Sequence, residues 1–254
     1  TYRMSCIIEY IIEHKRQTHG QYLARRRTIR KKIRCSGLLM KILFTGCSIT
    51  WGDELTDREN TRYSRLVSNH YGAEEVNIAW NGISNDRIVR ESITYLDKNP
   101  VDLIVIQFTL HTRSEWFGKD GSILDMHTHQ KRHPAPTFFR FVFNDYVGIE
   151  NLWKNVVLFD TYCTQKNIKY IPLLADHHEK ALNLNNYWQK LYHGKPLTHL
   201  HRHVLKRTPK PDMMSSGKIP KGYIPEHFML PNNHPSPIGH KVIAEKVIEL
   251  IDAI

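Results

Sequence analysis

The stretch VDLIVIQFT, residues 101–109, constrains the fold more than any other. Its apolar character is nearly continuous rather than alternating, which predicts a strand buried on both faces, as in a parallel sheet covered by helices. Three other runs of strand length accompany it: KILFTG (41–46), EEVNIAW (74–80) and IKYIPLLA (168–175). Between them the period changes to that of a helix. RYSRLVSNHYG (62–72) sets Tyr63, Leu66, Val67 and His70 at helical spacing before a terminating glycine. SNDRIVRESITYLDKNP (84–100) opens on a Ser or Asn cap and stops at Pro100, and a further helix is predicted around 144–166. The closing SPIGHKVIAEKVIELIDAI places Ile238, Val242, Ile243, Val247, Leu250 and Ile251 on one apolar stripe. Strand and helix alternating in this way predict one α/β domain with a parallel sheet, over residues 40–254. Residues 111 to about 140 read as a polar, His-rich segment, and about 176–230 as a loop-rich insertion.

The formal charge of +11 would point to nucleic acid if it were spread over the fold. It is concentrated instead. Residues 1–39 hold 10 Lys/Arg against 2 Asp/Glu, leaving 26 against 23 for the rest of the 254 residues. This extension, with ARRRTIRKKIR at 24–34, reads first as a solvated tail or as sequence upstream of the folded domain. A nucleic-acid arm and an Arg-rich targeting segment are the less favoured readings, the latter weakened by Glu9 and Glu13. No run approaches the roughly 20 apolar residues of a membrane span, and no secretory signal opens the sequence. Cys6, Cys35, Cys47 and Cys163 form no CxxC pair, so reduced thiols and a cytoplasmic location are expected, with no membrane partner.

Ligands of such sheets gather outside the carboxyl ends of the strands. That rule selects GCSITWG after the first strand, WNGISND after the second and FTLHTRSEW after the third, while PNNHPSPIGH (231–240) leads into the last helix. A phosphate loop does not fit the first of these. Gly46 and Gly52 are one residue too far apart for GxxxxGK, and Asp53 stands where the lysine should be. GxGxxG is missing too, so no dinucleotide fingerprint is present. A nucleophile fits better: Ser48 at a helix start would expose its hydroxyl, and His234 in a proline-fixed loop would supply a base.

Together these stretches resemble the SGNH hydrolases, the GDSL-like esterases and lipases. GCSITWG matches their Gly-x-Ser-x-Thr-x-Gly block from Gly46 through Ser48 and Thr50 to Gly52. NGISND supplies the glycine of the second block at Gly82, and HPSPIGH matches the last at His234 and Pro235, followed by Gly239 and His240. The resemblance implies a three-layer α/β/α sandwich and hydrolysis of an acetyl or acyl ester, often on a sugar or lipid, through an acyl-enzyme. It implies Ser48 as nucleophile, His234 as base, an oxyanion hole that includes the N–H groups of Ser48 and Gly82, and no metal or organic cofactor.

Two positions depart from the family pattern. Where Gly-x-Asn-Asp is expected, the chain has Thr109, His111 and Thr112, so His111 is the remaining candidate for the side-chain oxyanion donor. Three residues before His234 stands Pro231 in place of the triad aspartate. Asn232, Asn233 or a backbone carbonyl would then orient the imidazole, or a carboxylate brought in by the fold: Asp53, Glu115 or Glu226. A catalytically degraded member of the fold that binds a glycan or a protein is the alternative reading. Arg113, Glu115, Trp116 and Phe117 are candidates for a substrate pocket, weighed equally against a surface ion pair and packed aromatics. The histidine clusters His127/His129/His133, Asp176/His177/His178 and His199/His201/His203 lack HExxH or CxxC spacing, and no metal site is expected from them.

Overall fold

Four of the strands read from the sequence assemble in parallel at the centre of the protein, as seen in a computed structural model that describes residues 39–128, 131, 134–175, 190–194, 196–200 and 234–254. The basic extension and most of the 176–230 insertion lie outside the described residues, as do Asp176, His177, His178, His129, His133, His201, His203, Glu226 and Pro231 to Asn233. The strands are β1 (Lys41–Thr45), β2 (Glu74–Asn77), β3 (Leu103–Phe108) and β6 (Tyr170–Leu174). A two-residue strand, β7 (Thr198–His199), falls within the stretch read as an insertion and adds a fifth member, giving the order β2-β1-β3-β6-β7. All pairs in this sheet are parallel. Strand β3 is buried at every position, as expected for the central strand of a doubly covered sheet.

The helices are α1 (Ser48–Trp51), α2 (Arg58–Thr61), α3 (Tyr63–Tyr71), α4 (Asn85–Leu96), α5 (Ala135–Phe141), α6 (Asp145–Gln165) and α7 (Pro237–Asp252). Neighbouring residues of β1 show which helices cover which face, because successive strand side chains point to opposite sides. Phe44 packs edge-on against Tyr63 of α3, whereas the Thr45 hydroxyl accepts a hydrogen bond from Ser92 of α4 at 2.9 Å. Helix α7 packs with α3: Tyr71 donates to Asp252 at 2.8 Å, and His240 stacks on Tyr63. Helix α6 packs with α4, where Asp86 accepts from Asn151 at 2.6 Å, Asn155 at 3.1 Å and Lys154 at 3.2 Å. Burial pushes that carboxyl up, but the three donors outweigh it and hold it below its ordinary value. Two helix pairs on opposite faces of one sheet make the three-layer α/β/α sandwich.

Two expectations change. Residues 111–140 are not simply a polar segment: β4 (Ser114–Phe117) and β5 (Ile123–Met126) form an antiparallel hairpin, and α5 follows. The hairpin was hidden because its strands have four residues each, too short for alternation to register, and β4 ends in the exposed aromatics Trp116 and Phe117. In α7 the buried face uses His240 and Ala244 along with Val242, Ile243, Val247 and Ile251, and Ile238 is nearly half exposed on the first turn. Helix starts follow the expected chemistry, since Ser84 accepts from Arg87 N–H and Ser236 from Gly239 N–H. No described helix is long and apolar enough to cross a membrane. Cys47 and Cys163 are buried free thiols.

Candidate active site

The site begins where β1 ends. In register, Thr45 pairs with Ile106, so the next residue of β3, Gln107, lies beside Gly46. A Cβ at Gly46 would fall 2.6 Å from Thr50 Oγ1 and 2.8 Å from Gln107 Cβ, so only glycine lets the strand pass. Gln107 is fully buried and ties the following turn together. Its Oε1 accepts from Cys47 N–H and Thr50 N–H, both at 3.3 Å, and from the Thr50 hydroxyl at 2.8 Å. Its Nε2 donates to the Phe108 carbonyl at 3.2 Å and faces Cys47 Sγ at 3.1 Å. Thr50 also shares a hydrogen bond with the Tyr63 hydroxyl at 2.8 Å, and its carbonyl accepts from Asn77 at the end of β2 at 2.9 Å. The turn is closed by Gly52 in the left-handed region (φ 82°), with the N–H groups of Gly52 and Asp53 both on the Ser48 carbonyl at 2.9 Å.

Ser48 opens α1 on this scaffold, at the carboxyl end of β1. Contrary to expectation it is buried, with 3% exposure, and its Oγ donates to Cys47 Sγ at 3.8 Å; no hydrogen bond joins it to His234. Burial pushes the Cys47 thiol up, but the Arg113 guanidinium, the Thr109 hydroxyl, Gln107 and the Ile49 N–H together bring it below its ordinary value. The serine thus neighbours a polarised sulfur.

His234 reaches the same edge from the other end of the sequence, in the loop before α7. Its Nδ1 is 3.2 Å from Glu54 Oε2, and its Nε2 is 3.9 Å from Asp53 Oδ2. Asp53 is in turn held by Asn81 Nδ2 at 2.7 Å. Of the carboxylates considered from sequence, Asp53 is therefore beside the histidine, and Glu54 was missed. Glu115 is engaged elsewhere, in an ion pair with Arg90 at 2.7 Å. Gly82 has φ 80° with open space where a Cβ would project, so its backbone conformation and not crowding calls for glycine. The His111 ring is buried with Nε2 3.1 Å from Asp145 Oδ1, which directs any proton there toward the carboxylate. Asn85, which follows the Gly82 block, holds β3's end: it accepts from Thr109 N–H at 2.8 Å and donates to the Thr109 carbonyl at 3.2 Å.

The serine turn follows β1, Gly82 follows β2, and His234 stands just before the last helix. The described residues fold as an α/β/α sandwich around a parallel sheet.

No protein-family model and no curated protein matches the sequence. Solved structures do overlay on it. One, assigned to the lipolytic G-D-S-L family and from Desulfitobacterium hafniense DCB-2, has a TM-score of 0.49 at 13% identity, over 83% of this chain and 99% of that one. A member of the same family from Veillonella parvula DSM 2008 gives 0.48 at 11% identity, over 85% and 100%. A family two carbohydrate esterase from Clostridium thermocellum, solved with cellohexaose, gives 0.44 at 16%, over 84% and 64%.

The residues considered for a substrate pocket separate. Glu115, Trp116 and Phe117 line an open cavity of about 350 Å³ together with Phe138, Phe143 and Asp86, whereas Arg113 is not part of its lining and acts on Cys47. The most informative residue overlooked in the sequence is Gln107. Its signal was one amide inside the apolar run LIVIQF, where an unpaired polar side chain would be too costly to keep.

Proposed function

We propose that the chain hydrolyses an ester, an acetyl or acyl group carried on a carbohydrate, with Ser48 as nucleophile and His234 as general base. The observation that supports this most is the meeting of His234 with Asp53 and Glu54, five and six residues after Ser48, from the opposite end of the sequence. Ser48 Oγ adds to the ester carbonyl carbon while His234 takes its proton. The alcohol leaves with that proton, and a water deprotonated by the same histidine then releases the acid from Ser48. The N–H groups of Ser48 and Gly82 receive the oxyanion. The resting Ser48 hydroxyl turns to Cys47, and contacts of this kind often tighten only when substrate binds. The carbohydrate assignment draws on Trp80, about half exposed beside Asn81 and packed at 4.9 Å on Trp51, an aromatic face next to polar groups.

A second reading, an SGNH-like fold that binds a glycan or a protein without turnover, draws on the 3% exposure of Ser48 and the engagement of His111 by Asp145. Hydrolysis of p-nitrophenyl acetate and labelling by a fluorophosphonate separate the two. The esterase reading expects wild-type activity that falls about 10⁴-fold or more in Ser48→Ala and His234→Ala. Activity unchanged by Ser48→Ala, or a serine that takes no label, supports the binding reading.

A further inference from the structure

A histidine that takes a serine proton through Nε2 needs an acceptor at Nδ1, which fixes the tautomer and stabilises the imidazolium as it forms. The position three residues before His234 holds Pro231 and has no carboxylate to offer. We propose that Glu54, on the loop that follows the nucleophile turn, is the residue that orients His234. This rests on the esterase reading for its catalytic meaning, although the pairing itself can be measured without turnover.

Three observations carry it. Glu54 Oε2 stands 3.2 Å from Nδ1, and the two side chains are only 21% and 20% exposed, so water competes weakly for the contact. The contact has the distance of a hydrogen bond but is not yet aligned as one, a common state before substrate binds. Asp53 is the neighbouring alternative, but its Oδ2 is 3.9 Å from Nε2, beyond hydrogen-bond length, and accepts from Asn81. Nε2 is therefore not spent on Asp53 and keeps its lone pair for a hydroxyl. Finally, Glu54 has φ 65°, in the left-handed region that glycine or asparagine occupies at far lower cost. A non-glycine residue held there costs on the order of 1 kcal/mol or more, and such strain gathers at functional sites. The turn beginning at Gly46 would then deliver the nucleophile and, six residues later, the carboxylate, with only the histidine coming from the loop before α7.

The test combines kinetics with a direct reading of the ring. In kcat/KM for p-nitrophenyl acetate, Glu54→Gln should lose about 10³-fold to 10⁴-fold, Glu54→Asp should recover part of that, and Asp53→Asn should lose less than about tenfold. The loss should appear in kcat rather than KM. Nitrogen NMR of His234 in the full chain should show its neutral form protonated at Nδ1, and Glu54→Gln should shift that tautomer balance. Among the described residues the charged and titratable groups around the ring are Asp53, Glu54 and His240, so the same tautomer measurement in Asp53→Asn assigns the effect. A ring that does not respond to Glu54→Gln, or that responds more to Asp53→Asn, overturns the proposal. If the wild type hydrolyses nothing yet the ring responds to Glu54→Gln, the esterase reading is lost and the Glu54–His234 pairing stands.

Discussion

The turn that carries Ser48 and the loop that carries His234 meet at one sheet edge but are built on different principles. Around Ser48 the contacts interlock: buried Gln107, Thr50 and Tyr63 and half-buried Asn77 satisfy one another, and Gly46 leaves no room for a Cβ. Around His234 the contacts among the described residues are two partly exposed carboxylates at 3.2 and 3.9 Å. The position of Ser48 is thus tied to the stability of the fold, whereas that of His234 rests on a few partly exposed contacts.

The comparison can be broken first at Gln107. Gln107→Leu strands the Cys47 and Thr50 N–H groups at a site with no solvent, and a loss of about 3–5 kcal/mol is expected in urea unfolding. A loss below 1 kcal/mol would mean that the turn is not anchored as described. Next comes acid. Burial, aided by the charge of His234, pushes the His240 ring down to about 3, while the unfolded chain titrates near 6.5. The unfolded state therefore binds more protons between these values, so stability is full above about pH 6.5 and is lost as pH falls toward 3. By pH 5 the loss from this group is about 2 kcal/mol. His240→Asn, which keeps an acceptor for the Tyr63 N–H without titrating, should flatten that part of the stability profile. Tyr63→Phe removes only the hydroxyl that meets Thr50, and about 1 kcal/mol is expected. The smallest effect on stability, within about 1 kcal/mol, belongs to His234→Ala. If His234→Ala destabilised as much as Gln107→Leu, the two regions would not differ.

What was legible in the sequence follows from the range of the interactions. The parallel sheet could be read because LIVIQF, KILFT and YIPLL are buried on both faces and their composition records it. The turns at Gly46, Gly52 and Gly82 and the helix start at Ser236 could be read because these backbone demands are local and leave a local signature. Glu54 could not, because it gains its meaning from a residue almost the whole domain away, and nothing near it in sequence marks the encounter. The exposed serine expected at the helix start was also overturned, since burial depends on what packs over the turn. The β4–β5 hairpin escaped for a different reason, having too few residues to show a period.

Tyr63 opens α3, and its N–H, which has no acceptor within its own helix, donates to Nδ1 of His240 on α7 at 3.1 Å. A growing polypeptide presents the serine turn and α3 long before it presents α7. Until α7 docks, that amide lacks the acceptor it has in the folded chain. The contact that completes α3 belongs to the same helix that His234 precedes, so docking of the last helix and assembly of the cluster of His234, Asp53 and Glu54 are one late event.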